Sequence, residues 1–255
     1  MAGRVREVNP TDPAERVVEA LEPPLPFHVC LDLVQSERTR GHAMAGRVIT
    51  IAQQKGGAGK TTLAIQIGTA LATRGRSVVM LDIDPQASLF AWYGERRRRG
   101  LDGANGPVVQ GLSGWRLAGE VRKFRSEFDL VLIDSPPHAE TEARTAIREA
   151  DLVLVPCQPN ALDLWAIAPT LELAERERSD CLVVLNRVPP RSRAADAVRD
   201  EIRRRGWPLS EIALGNRQAF AASIAEGGGV VESAARSAAA SEAEALADEV
   251  LQRLT

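Results

Sequence analysis

The chain has 255 residues, 44% of them hydrophobic and 26% charged, which is room for one α/β domain with its own core or at most two small ones. A net charge of −2 excludes a global basic field, so any nucleic-acid or membrane role must rest on a local patch. No stretch approaches the ~18 uninterrupted apolar residues of a membrane span, and the charged, Pro-rich start is unlike a signal peptide.

Residues 1–45 mix prolines and charges without a sustained period. One short helical stretch fits 12–22, too small for a core of its own. Met44 precedes "AGRVITIAQQ", a natural start for a domain, so the opening segment reads as a flexible extension or an over-called start codon. A dedicated binding arm is the alternative. From residue 46 to 255 the pattern is that of one domain. Apolar runs at 47–52, 77–83, 129–134, 151–157 and 181–186 are short, β-branched and continuously apolar, as strands buried on both faces should be. Helical patterns lie at 60–74, 114–126, 140–149, 162–177 and 193–205. The alternation predicts an α/β, doubly wound, mainly parallel sheet with helices on both faces, as in P-loop NTPases. Later, 211–214 is expected to form an edge strand, 217–226 a helix and 232–254 a closing helix. The run "ERRRRG" (95–100) is expected on a surface loop. Cys30, Cys157 and Cys181 are isolated and lack metal-ligand spacing, which fits a reduced, cytoplasmic setting.

The chemistry is concentrated in "ITIAQQKGGAGKTTLA" (49–64). Strand, Gly-rich turn and helix follow one another here, the context that a phosphate-binding loop requires. Gly56, Gly57 and Gly59, with Ala58 between them, let the backbone turn its N–H groups inward, and the helix that follows adds its positive end. Lys60 would reach the β- and γ-phosphates, and the Thr61 hydroxyl, followed by Thr62, is placed to ligate Mg²⁺. A strict G-x-x-x-x-G-K-[ST] pattern fails, because Gln54 stands where its first glycine should be. A second lysine, Lys55, lies five residues before Lys60. The chain has one further lysine, Lys123, and writes every other basic position as arginine, so the pair marks positions where arginine will not serve. "MLDIDPQ" puts Asp82 and Asp84, and "VLIDSPP" puts Asp134, at the carboxyl ends of apolar runs. In a parallel sheet that is where a ligand crevice opens, and magnesium–nucleotide is the simplest partner for three such carboxylates.

These stretches resemble the ParA/MinD family of deviant Walker-type ATPases, and most of all the short ParA-type partition proteins. The matches run over nearly all of 46–235: "QQKGGAGKTTLA", "VVMLDIDPQAS", "FDLVLIDSPP", "ADLVLVPCQPNALDLWA" and "VVLNRV". The resemblance implies a weak, partner-stimulated ATPase that uses ATP and Mg²⁺ and forms a homodimer on ATP binding. Gln54 is common in ParA-type members. Lys55 would be the signature lysine that reaches the partner's nucleotide, Asp84 would orient the attacking water, and Asp82 and Asp134 would hold the magnesium water shell. Asn186 would bond the adenine edge, with capping of the next turn as the alternative.

The output is less legible. Arginines gather at 191, 193, 203–205 and 217. By the same resemblance Arg191, Arg193 and Arg217 are the closest matches to a surface for non-specific nucleoid DNA. The alternative is a solvated helix face paired with Asp196, Asp200 and Glu201. A ParB-like or adaptor protein would stimulate hydrolysis, and the cargo would be a DNA locus or a protein assembly. A second reading is an ATP-gated recruitment module without DNA. Membrane cycling is disfavoured, since "SAAASEAEALADEVLQRLT" is acidic and suited to packing on the domain.

Overall fold

Short, β-branched runs between helices can bury both faces only inside a sheet covered on two sides. The computed structural model describes residues 46–103, 105–137 and 140–255. It contains β1 (Arg47–Ile51), β2 (Val78–Asp82), β3 (Val108–Gly111), β4 (Leu130–Asp134), β5 (Leu152–Cys157) and β6 (Asp180–Leu185). They form one sheet in the order β3-β2-β4-β1-β5-β6, and every pairing is parallel. The helices are α1 (Lys60–Thr73), α2 (Ser88–Arg98), α3 (Leu117–Glu127), α4 (Glu140–Arg148), α5 (Ala161–Glu177), α6 (Arg193–Arg204), α7 (Gln218–Ala225), α8 (Val230–Ser233) and α9 (Ala238–Arg253). None of them is long and apolar enough to cross a membrane.

Alternate strand residues serve opposite faces. On β5, Leu152 and Leu154 join the core beneath α1 and α9, while Val153, Val155 and Cys157 join the core beneath α5 and α6. Helix α1 lies close on the sheet because Gly68 carries no side chain: a Cβ there would meet the Met80 Sδ at 2.7 Å. The sheet brings its carboxyl ends to one edge. Ile51 and Asp82 both stand opposite Asp134 in register, and Asn186 follows the end of β6.

Four expectations need correction or placement. The segment 211–214 is not a strand. Isolated bridges, Val183 with Leu209 and Val188 with Gly215, and a bond from the Leu214 N–H to the Leu185 carbonyl tie this stretch to the sheet edge. Between them the Glu249 carboxylate and the Ser210 hydroxyl take the N–H groups of Glu211 and Ile212, so no ladder continues. Residues 95–98 belong to α2 and not to a surface loop, and Arg96 is buried. The closing helix is two helices, because the Ser237 hydroxyl caps a new start by accepting the Ala240 N–H at 3.1 Å. The extension at 1–45, with its short helix and Met44, lies outside the described residues.

Candidate functional site

The loop 53–59 carries the chain from β1 into α1. Gly57 and Gly59 hold φ of 80° and 92°, left-handed values that favour glycine. A Cβ at 59 would also lie 2.4 Å from the Asn186 Nδ2. Gly59 is the N-cap of α1 and supplies no side-chain cap. The first-turn N–H groups are therefore offered to an anion at the positive end of the helix.

Around that end the predicted side chains converge. Lys60 is 7% exposed; burial lowers its ammonium pKa, and the charges of Asp134 and Asp84 draw it back up. The Thr61 hydroxyl donates to the Asp134 Oδ2 at 2.7 Å. Burial pushes the Asp134 carboxyl up to about 7, against the pull of that hydroxyl and with a further push from Asp82. Its other oxygen, Oδ1, is buried without a partner. An orphaned buried carboxylate oxygen is costly. A divalent cation or its bound water, beside the Thr61 hydroxyl, would remove that cost, so these residues fit Mg²⁺. No cluster of three or more His, Cys, Asp or Glu among the described residues makes an all-protein metal cage. Magnesium that shares phosphate and water ligands needs none.

Asp82 has a second occupation. Its two oxygens accept the Asp84 N–H at 3.1 Å and the Phe90 N–H at 2.9 Å. Burial raises its pKa, and these backbone donors lower it. It thus caps α2, whose N-cap residue Ala87 supplies no side-chain bond, and each carboxylate oxygen keeps a lone pair beyond these bonds. Asp84 is half-buried and accepts the Gln86 N–H at 2.9 Å.

A cleft of about 350 Å³ opens over the loop, lined by Gly56, Gly57, Gly59, Lys60, Thr61, Thr62 and Asp84, a size suited to a small ligand. Ala58, 1% exposed, is turned into the fold. Ser88, Pro137, Arg187 and Ile224 complete the lining. Arg187 follows a strand end, so the carboxyl-end rule was a usable signal for it. Ile224 arrives on α7 with no local signal. Asn186 is 3% exposed; its amide donates to the Ala58 carbonyl at 3.1 Å and accepts the Arg187 N–H at 2.9 Å.

Lys55 stands apart from Lys60. It is not among the residues that line the cleft, its side chain is 39% exposed, and it is ion-paired with Asp163, which is 1% exposed. Asp163 sits in the first turn of α5, capped by Asn160. The predicted DNA arginines also divide. Arg191 and Arg193 are exposed and form no ion pair among the described residues. Arg217 is gripped by the Glu242 carboxylate at 2.6 and 3.0 Å.

Comparison with known proteins agrees with this geometry. Residues 49–230 match the CobQ/CobB/MinD/ParA nucleotide binding domain. The maintenance of carboxysome distribution protein A of Halothiobacillus neapolitanus is 31% identical over 219 residues, covering 81% of this chain and 94% of that protein. Protein ParA of Rhizobium radiobacter is 30% identical over 220 residues, covering 82% and 97%. Among solved structures, the Pyrococcus furiosus cell division ATPase MinD superposes with a TM-score of 0.70 at 24% identity, over 81% of this chain and 99% of that one, a likeness of fold. With the phosphate loop, the capped carboxylates and the sheet order all in place, the chain belongs to the ParA/MinD family of P-loop ATPases, partition or positioning enzymes that use ATP and Mg²⁺.

Proposed function

We propose that ATP clamps two copies of this chain together, that the dimer holds DNA without sequence preference, and that a ParB-like or adaptor protein releases it by stimulating hydrolysis. The observation that carries this reading is the placement of Lys55. It belongs to the phosphate loop, yet it is absent from the lining of its own cleft, and its ammonium is ion-paired with Asp163 of α5. A cation there serves a nucleotide held by another copy. Beside it on α5, Leu162 and Trp165 are 64% and 61% exposed, and exposed large apolar side chains mark association faces.

Bound ATP and Mg²⁺ supply the phosphoryl group and part of the charge neutralisation. In this reading Lys60 and the loop N–H groups hold the phosphates. Thr61 and Asp134, with the free lone pairs of Asp82, hold the metal's oxygen shell. Asp84, at the rim of the cleft, orients the attacking water, and Lys55 adds charge from the partner. Asn186 spends one amide hydrogen on the Ala58 carbonyl and keeps a second hydrogen and a lone pair with which it would bond the adenine edge.

For DNA, Arg191 and Arg193 at the start of α6 are exposed and unpaired among the described residues, as is Arg203 on the same helix, whereas Arg199, Arg204 and Arg205 are paired with Asp196 and Glu201. Arg217 would have to leave Glu242 to take part. Residues 46–255 would form the ATPase unit with 1–45 as an accessory extension, in the cytoplasm and on the nucleoid. The name of the Halothiobacillus relative favours a protein assembly as cargo over a plasmid alone. Against membrane cycling, α9 spends Ala239, Ala243, Leu246, Ala247 and Val250 on the core.

Salt-dependent DNA retention of the ATP-bound protein tests the reading. Arg191→Glu with Arg193→Glu should weaken binding uniformly across sequences and flatten the salt slope by about one per lost phosphate contact. Retention that survives both changes with its slope intact would put the DNA surface elsewhere, whereas a wild-type ATP-bound protein with no salt-sensitive retention would leave the DNA-free recruitment module as the better account.

A further inference from the structure

Two carbonyl groups of the phosphate loop are held from outside by side chains that lie beyond the Gly-rich loop itself. Gln158, just past the end of β5, donates from Nε2 to the Gly57 carbonyl at 2.8 Å. Asn186, just past the end of β6, donates from Nδ2 to the Ala58 carbonyl at 3.1 Å. Arg187 adds a longer bond from Nη1 to the same Gly57 oxygen at 3.4 Å. Two consecutive carbonyls of the loop are therefore tied to the ends of two neighbouring strands.

Peptide geometry gives this a consequence. In a planar trans peptide the carbonyl of one residue and the N–H of the next point in opposite directions. Tying the Gly57 and Ala58 carbonyls outward turns the N–H groups of Ala58 and Gly59 the other way, toward the anion cradle. Left alone, a loop with glycines at 56, 57 and 59 would sample many conformations and would have to be ordered when the nucleotide arrives. The supports are themselves anchored. The Gln158 N–H donates to the Asp163 Oδ2 at 3.3 Å, and the Asn186 N–H donates to the Cys157 carbonyl at 2.9 Å. Of the two amides, Asn186 also fills space against Gly59. Gln158 is half-buried and touches the loop through its amide, so its effect can be isolated.

We propose that Gln158 is a positioning residue for nucleotide binding, which sets the Gly57–Ala58 peptide so that the loop meets the phosphates without reorganising. The inference rests on the nucleotide-binding role of the loop and is independent of dimerisation and DNA. The test is the affinity of the full chain for a fluorescent ATP analogue with Mg²⁺, measured at pH 8 and pH 5. Gln158→Ala should weaken binding about tenfold at both values, as expected for loss of one orienting hydrogen bond. Gln158→Glu should weaken it more at pH 8, where a carboxylate faces the carbonyl oxygen. At pH 5 the carboxyl, its pKa raised by that oxygen, regains a donor, and its deficit against wild type at the same pH should shrink to about threefold. Melting temperatures without nucleotide should stay within about 2 °C of wild type. Wild-type affinity in Gln158→Ala, an equal deficit of Gln158→Glu at both pH values, or a fall in the nucleotide-free melting temperature that tracks the affinity would each overturn the proposal.

Discussion

Two lysines five positions apart, one in the loop and one at the start of α1, have opposite environments, set by burial and by which carboxylates lie near each. Lys60 is buried, which lowers its pKa, and the charges of Asp134 and Asp84 support its ammonium, while Lys55 is ion-paired with Asp163. Asp163 has partners besides the lysine: it accepts the Gln158 N–H, and its own N–H donates to the Asn160 Oδ1 at 2.9 Å. Its charge also sits at the positive end of α5. It can therefore release Lys55 without being left bare. Because Lys55 is more than a third exposed, solvent screening limits the pair to about 1 kcal/mol. Asp163→Asn is accordingly expected to tighten the ATP-dependent dimer by up to about thirtyfold, about fivefold for each of the two lysines freed. Sedimentation equilibrium in MgATP measures this directly, and an unchanged dimer constant would mean that the pair does not compete with the partner's nucleotide.

At the scale of an element, α2 is the instructive case. Its start is capped by Asp82 from six residues upstream, and its last turn is fastened by Arg96. That guanidinium is 2% exposed, grips both oxygens of Glu232 at 2.7 and 2.8 Å and bonds the Gly227 carbonyl at 3.2 Å. It also lies over the Trp92 ring at 5.5 Å. The Glu232 carboxylate in turn accepts the Gly229 N–H at the start of α8. One ion pair thus ties the helix after Asp84 to the segment after α7, whose Ile224 lines the cleft. Removing one partner of such a pair leaves the other charge stranded. Arg96→Ala should lower stability by about 3 kcal/mol, whereas Arg98→Ala, at a side chain 72% exposed, should stay within about 0.5 kcal/mol. Urea unfolding checks both: the Arg96 midpoint should fall with the m-value unchanged.

For the whole molecule, the parallel sheet collects the phosphate loop and the candidate carboxylates at its carboxyl ends, and the start of α5 holds Lys55 through Asp163 and exposes Leu162 and Trp165. If that face meets a second copy, Leu162→Glu with Trp165→Glu should abolish the ATP-dependent dimer and leave nucleotide affinity of the monomer within about twofold of wild type. Light scattering with and without MgATP, run beside nucleotide titration, separates the two effects. A double variant that still dimerises at wild-type concentrations would move the interface elsewhere.

Much of this was legible in residues close together in sequence. "GKTT" after a β-branched strand encodes its turn, its helix start and its phosphate chemistry within sixteen positions, and the apolar runs ending in Asp82 and Asp134 announced their edge of the sheet. Strand β3, only "VVQG" between Gly-rich stretches, is too short to carry a period, and α2 has almost no amphipathic pattern and borrows its cap. The four-arginine run looked like solvent because charge predicts exposure in the absence of a partner, and Glu232 lies 136 positions away from Arg96. By itself, then, the sequence determined the parallel sheet, the phosphate loop and the carboxylates around it, because strand period, glycine placement and helix starts are local. Only the tertiary structure decided which charges are spent. Lys55 on Asp163, Arg217 on Glu242, Arg96 on Glu232 and the Gln158 amide on Gly57 are pairings across long loops, where burial selects the partner and no spacing records it.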